Sequence, residues 1–177
     1  MAIYTKKGDK GETRTLNVKE NVVSKDSAKI RALGALDEAN SYLGVARANI
    51  NDADVDRIIF SFQTDLFTVA GNIAGAEVKL DIKRVKLLEA LIDELEGKLP
   101  VLKNFVVTGD TVESAHLMYA RTIVRKAERL VVRLSLKGGV ESEILTYLNR
   151  LSDAVFMMAR YLNFINAKNE SVWKGRV

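Results

Sequence analysis

Apolar positions recur every three or four residues in five separate stretches of this chain, and that period predicts helices. Ile30, Leu33, Leu36, Ala39, Leu43 and Ala46 form the first series, from Ser27 to about Ile50, with Ser24 or Asp26 available as the N-cap. Ile58, Ile59, Phe62, Leu66, Val69 and Ala70 predict a second helix from about Ala53 to Ile73. A third is expected from about Ile82 to Leu95, with Gly97 and Pro100 as stop signals. The fourth starts near Thr111 and passes Leu134 before Gly138-Gly139 ends it, and the fifth spans about Glu141 to Ile165.

Outside these stretches the pattern changes. Residues 3 to 24 have no sustained period and carry turn chemistry around Gly8-Asp9-Lys10-Gly11, so an extended loop is expected there. Phe105-Val106-Val107 is a short apolar run, no strand pair is expected, and the polar tail from Ala167 onward is expected to be partly mobile. Five helices with short connections predict an all-α five-helix bundle with antiparallel neighbours. The expected organisation is one helical-bundle domain over 1–177, made of an N-terminal loop (1–25), the bundle (26–166) and a tail (167–177).

Composition narrows the function classes. Apolar residues at 47% and charged residues at 28% suit a packed core and argue against disorder. Cysteine is absent, which excludes disulfides, a thiolate nucleophile and a cysteine zinc site. No apolar window approaches a membrane span and no signal region is evident at the start, so a cytoplasmic protein without a membrane role is expected. The net charge of +4 is unevenly placed: eight cations and four acids lie between Lys6 and Arg31. The loop is therefore basic, and its expected partner is an anion.

Three segments could carry chemistry. In the fourth helix Arg121, Arg125, Glu128 and Arg129 share one stripe, while Leu117, Ala120, Ile123/Val124, Ala127 and Leu130/Val131 occupy the opposite one. In the fifth helix Asn149 and Asp153 share a face. The bland reading of both is a solvated surface held by weak pairs. The loop Thr5-Lys6-Lys7-Gly8-Asp9-Lys10-Gly11-Glu12-Thr13 has the composition of an anion cradle, with glycines that let backbone N–H groups approach and ammonium groups beside them. Neither a P-loop nor a GxGxxG pattern occurs, so the two commonest nucleotide fingerprints do not apply. His116, the only histidine, lacks companions for a metal site, and Trp173, the only tryptophan, is expected to pack the tail.

Read in order, four segments resemble the PduO-type ATP:corrinoid adenosyltransferases. They are Y-T-K-x-G-D-x-G-x-T at Tyr4 to Thr13, G-x-x-D-E-L-N-S at Gly34 to Ser41, A-R-T-x-x-R-R-A-E-R at Ala120 to Arg129, and L-N-R-L-S-D at Leu148 to Asp153. The resemblance implies transfer of the 5′-deoxyadenosyl group of ATP to cob(I)alamin or a related corrinoid, with tripolyphosphate as leaving group and Mg²⁺ as companion of the ATP. It implies a homotrimer with ATP between subunits, and a cobalamin reductase and a B12-dependent enzyme as candidate partners. By position, Thr5, Lys6, Lys7, Gly8, Thr13, Arg14 and Lys25 match ATP contacts in and after the loop. Arg125, Lys126, Ala127, Glu128, Arg129 and Asn149 match the rest of the nucleotide site, with Arg125 and Arg129 in the catalytic role. Asp37 and Arg121 match a subunit bridge, Phe105 matches an aromatic residue near the corrinoid, and no resident metal ligand is implied.

This sequence departs from the pattern in four places. Lys126 replaces an arginine and loses its bidentate fork. Thr108-Gly109-Asp110 stands where a P-G-G-like turn is usual, Met118 where histidine is frequent, and Ala39 where leucine is. The alternative implied is a non-catalytic escort or sensor that binds ATP and adenosylcobalamin. Nucleic-acid binding is disfavoured, because Glu128 interrupts the basic helix and no stacking aromatics accompany its arginines.

Overall fold

Five helices form where the apolar spacing places them, and short strand pairs close the two loops that lack it. The computed structural model describes residues 4, 6, 8–16 and 22–175. The chain enters through an antiparallel pair, β1 (Glu12–Arg14) on β2 (Val22–Ser24), with Thr13 opposite Val23. Then follow α1 (Ala28–Arg47), α2 (Ala53–Ala74), α3 (Lys83–Lys98), β3 (Phe105–Val106), α4 (Val112–Ser135), α5 (Ser142–Ile165) and β4 (Val172–Trp173).

The helix ends have local causes. Ser27 Oγ accepts from the Ile30 N–H, Asp52 from Asp54 and Val55, and Thr111 from Ser114, so α1, α2 and α4 each begin on a side-chain cap. Helix α2 stops at Gly75, whose φ of 100° is left-handed and favours glycine there. Helix α4 packs against both α1 and α5, α2 packs against α1, α3 packs against α5, and α2 also meets α5. Leu36, Leu43, Ile59, Leu66, Leu117, Leu148 and Leu151 fill the space between them, each fully or almost fully buried. Such side chains contribute about 1.5–3 kcal/mol each by leaving water.

Two polar clusters stitch the apolar layers together. Asp65 on α2 accepts from the Tyr147 hydroxyl of α5 at 2.7 Å and from Arg84 Nε of α3 at 2.8 Å. Arg160 on α5 donates to Glu170 at 2.8 and 2.9 Å and to the Pro100 carbonyl at 2.8 Å, which fastens the tail and the α3–β3 loop to the bundle.

Three expectations are corrected. The α1 cap is Ser27, not Ser24 or Asp26, because Ser24 ends β2 and its Oγ accepts from the Asp26 N–H. Two strand pairs exist where none was expected, since pairs of two and three residues are too short to show an alternating pattern. The tail is not loose at its start: Val172 and Trp173 pair with Val106 and Phe105, and Val107 N–H donates to Ser171 O at 2.7 Å.

Candidate active site

The α4 stripe survives folding as an exposed face beside α5. Asn149 Nδ2 donates to Glu128 Oε1 at 3.1 Å, joining the two helices at the middle of the stripe. Asn149 is itself oriented by Arg150, whose Nη1 reaches Asn149 Oδ1 at 3.0 Å and whose Nε reaches Glu89 Oε1 on α3 at 3.1 Å. Arg125 and Arg129 are exposed, and neither makes a hydrogen bond or ion pair with another described residue. Two adjacent guanidinium groups with no carboxylate partner among the described residues have the chemistry to meet a multivalent oxyanion through forked, charge-assisted hydrogen bonds.

The other matched residues of α4 are placed differently. Lys126 turns about 100° away from Arg125 around the helix and pairs with Glu38 of α1 at 2.6 Å. Ala127 is fully buried, so its side chain serves the core. Arg121 is half-buried with its guanidinium 5.2 Å over the Phe156 ring, and its Nε is buried with no acceptor. Burial, then the neighbouring Arg125 charge, push its pKa down, and Asp153 opposes them. Asp37 lies exposed on α1.

The basic loop is tied to the bundle near the C-terminal end of α2, where the Leu16 N–H donates to Ala74 O at 3.0 Å. Lys25 is brought to its glycines: Lys25 N–H donates to Gly11 O at 2.9 Å. A Cβ on Gly8 would sit 3.3 Å from Lys25 Nζ and from Glu12 O. Glycine at position 8 therefore leaves room for an ammonium group above the backbone. Lys6 has a φ of 59° and points its ammonium over Tyr4. Thr13 and Arg14 lie in β1, whereas Thr5 and Lys7 are outside the described residues.

Phe105 is 77% exposed and faces Trp173, which is 58% exposed, across the β3–β4 pair, with ring centroids 6.5 Å apart. Leu102, Lys103, Asn104 and Lys174 complete a hollow of about 400 Å³ around the two rings. Sequence reading had Trp173 packing the tail, but it forms part of an open aromatic surface. The roles of Glu89 and Arg150 as supports of the stripe, and of Glu38 as the partner of Lys126, were also missed; Arg150 lies inside the L-N-R-L-S-D segment, yet nothing in one sequence signals its α3 partner. His116 is satisfied by the Tyr42 hydroxyl at 3.0 Å. Among the described residues, no group of three or more His, Asp or Glu side chains is arranged to hold a metal ion.

A helical bundle that presents unpaired arginines beside an asparagine–glutamate pair, with a glycine and lysine cradle at its entrance, defines an anion-holding protein of the nucleotide-binding kind. Residues 3–162 match the family model described as cobalamin adenosyltransferase. The chain is 36% identical over 171 residues to a corrinoid adenosyltransferase of Bacillus subtilis, covering 92% of this chain and 87% of that protein. It is 32% identical over 167 residues to the corrinoid adenosyltransferase PduO of Citrobacter freundii, covering 90% of this chain and 49% of that longer relative. A variant PduO-type ATP:corrinoid adenosyltransferase from Lactobacillus reuteri, complexed with cobalamin and ATP, superimposes with a TM-score of 0.93 at 30% identity, over 98% of this chain and 100% of that one. A second variant from that organism, complexed with ATP, gives a TM-score of 0.91 at 31% identity, over 97% of this chain and 100% of that one. This chain belongs to the cobalamin adenosyltransferase family. No helix among the described residues is long and apolar enough to cross a membrane.

Proposed function

We propose that this protein transfers the 5′-deoxyadenosyl group of ATP to the cobalt of a cob(I)alamin-type corrinoid. The cobalt(I) electron pair forms the Co–C5′ bond, the C5′–O bond breaks, and tripolyphosphate leaves with the bonding pair. No proton has to move at carbon, so the task of the protein is to hold the reactants in line and stabilise charge on the departing phosphate. The observation that carries this reading is the exposed Arg125 and Arg129 beside the Glu128–Asn149 pair, in a chain of this family.

In this reading the backbone around Gly8 and the Lys25 ammonium meet the phosphates from the loop side, with Thr5, Lys6, Lys7, Thr13 and Arg14 around them. Arg125 and Arg129 meet the phosphates from α4. Mg²⁺ enters on the phosphate oxygens rather than in a protein cage, as is usual for that ion with nucleotides. The expected setting is the cytoplasm. Incubation with chemically reduced cob(I)alamin and Mg·ATP without oxygen should give the absorbance change of Co–C bond formation together with tripolyphosphate. Binding of both substrates without turnover would replace this reading with the escort role.

We further propose a homotrimer with ATP between subunits, bridged by Asp37 of one copy and Arg121 of the next. Arg121 Nε is buried without an acceptor among the described residues, an arrangement that costs about 1–3 kcal/mol unless something fills it, and Asp37 is exposed on α1 near the open face at Gly34, with no partner among the described residues. Asp37→Ala should shift the protein from trimer towards monomer in size-exclusion and weaken ATP binding. Trimer and ATP affinity unchanged in Asp37→Ala would rule out the bridge.

A further inference from the structure

The turn that replaces the usual P-G-G sequence holds a carboxylate that the family motifs do not supply. Asp110 Oδ1 accepts from the Ser171 hydroxyl at 2.6 Å and from the Ser171 N–H at 3.3 Å. Its Oδ2 lies 3.2 Å from the same N–H and 3.5 Å from Asn163 Nδ2. Asn163 is almost fully buried in α5 and accepts from Thr111, the residue that caps α4. Asp110 thus stands between a rigid frame and a chain end.

Ser171 is gripped from both sides, its donors by Asp110 and its carbonyl by the Val107 N–H. Two residues later comes Trp173, directly opposite Phe105. A ladder of two residues is too short to hold itself together in water, and both rings are largely exposed, so neither is fixed by burial. Arg160 anchors Glu170, the residue before Ser171, and leaves the donors of Ser171 to Asp110.

We propose that Asp110 is a positioning residue for the corrinoid: it fastens the tail strand so that Trp173 and Phe105 form one two-ring wall against the macrocycle. This rests on the adenosyltransferase reading given above. The two rings share their hollow with Lys103 and Lys174, a mixture of apolar surface and polar heads that suits a flat macrocycle with an apolar face and amide-bearing rim. ATP is held elsewhere, on the α4 stripe and the loop, so the two substrates should respond differently to loss of the carboxylate.

Trp173 is the only tryptophan and reports the tail directly. In Asp110→Gly, acrylamide quenching of Trp173 in the substrate-free protein should rise. KM for cob(I)alamin should increase about tenfold, the scale of one lost charge-assisted hydrogen bond, with KM for Mg·ATP unchanged. Asp110→Asn, which keeps an acceptor, should lie between wild type and glycine. Unchanged quenching in Asp110→Gly overturns the clamp, and increased quenching with unchanged cob(I)alamin KM overturns its role toward the corrinoid. If Asp110→Gly lowers the melting temperature sharply, Ser171→Ala, outside every helix, is read for the same two quantities. Absence of turnover in the wild type would sink the transferase reading and the corrinoid role with it, while the quenching result still judges the clamp.

Discussion

Arg125→Ala is expected to lower kcat for adenosyl transfer by about two to three orders of magnitude, the range for removing one donor aimed at developing negative charge. The guanidinium is exposed and makes no hydrogen bond or ion pair with a described residue, so its loss leaves no orphaned group in the fold. The melting temperature should therefore stay at the wild-type value. Charge on the leaving tripolyphosphate grows as the C5′–O bond breaks, so the interaction strengthens towards the transition state and kcat should fall more than KM for ATP rises. Arg125→Lys keeps the charge without the fork and should recover part of the rate. Steady-state assays with cob(I)alamin and Mg·ATP decide the matter: a wild-type rate in Arg125→Ala would make the stripe an ordinary solvated face.

Asp65→Ala should destabilise the bundle by about 3 kcal/mol, the lower end for breaking a buried charge pair from one side. Asp65 is 8% exposed and its carboxylate is shared by Tyr147 and Arg84, so its removal strands a fully buried tyrosine and a half-buried arginine together. For a chain of this size the melting temperature should fall by about 6–12 °C. Tyr147→Phe removes one hydrogen bond and should cost about 1 kcal/mol. The same pair predicts a pH dependence. Burial, then the Asp65 charge and the hydrogen bond to it, hold the Tyr147 hydroxyl well above its ordinary value, with Arg84 opposing. A pKa raised on folding gives stability that is complete below the unfolded value of about 10 and is lost as pH rises beyond it. Thermal melts between about pH 8 and 11 should show that alkaline loss in the wild type and a flatter curve in Tyr147→Phe.

The helices were legible because their period is local: one turn of apolar spacing identifies a face without any knowledge of its partner. The same spacing assigned Leu117, Ala120, Ile123/Val124 and Ala127 to the core, where they are buried; of the pair Leu130/Val131, Val131 is fully buried and Leu130 only partly. The strand pairs were not legible, since Phe105 meets Trp173 across a long stretch of chain and two residues carry no alternation. The site divides in the same way. Arg125, Glu128 and Arg129 share a stripe in any α-helix of this sequence and Lys126 lies off it, about 100° round the helix from Arg125, whereas its pairing with Glu38 was decided by where α1 packs.

By itself, then, the order of residues determined the five helices, the arginine stripe and the glycine-rich basic loop, because each depends on spacings within a few residues. Only the tertiary structure decided that Asn149 joins Glu128, that Lys25 stands over Gly8, that Asp65 serves two helices at once, and that the tail lies on β3 under Asp110. Those contacts link positions far apart in the chain. Their partners are selected by burial and by the need of each polar group for a mate, conditions that exist only after the helices have packed.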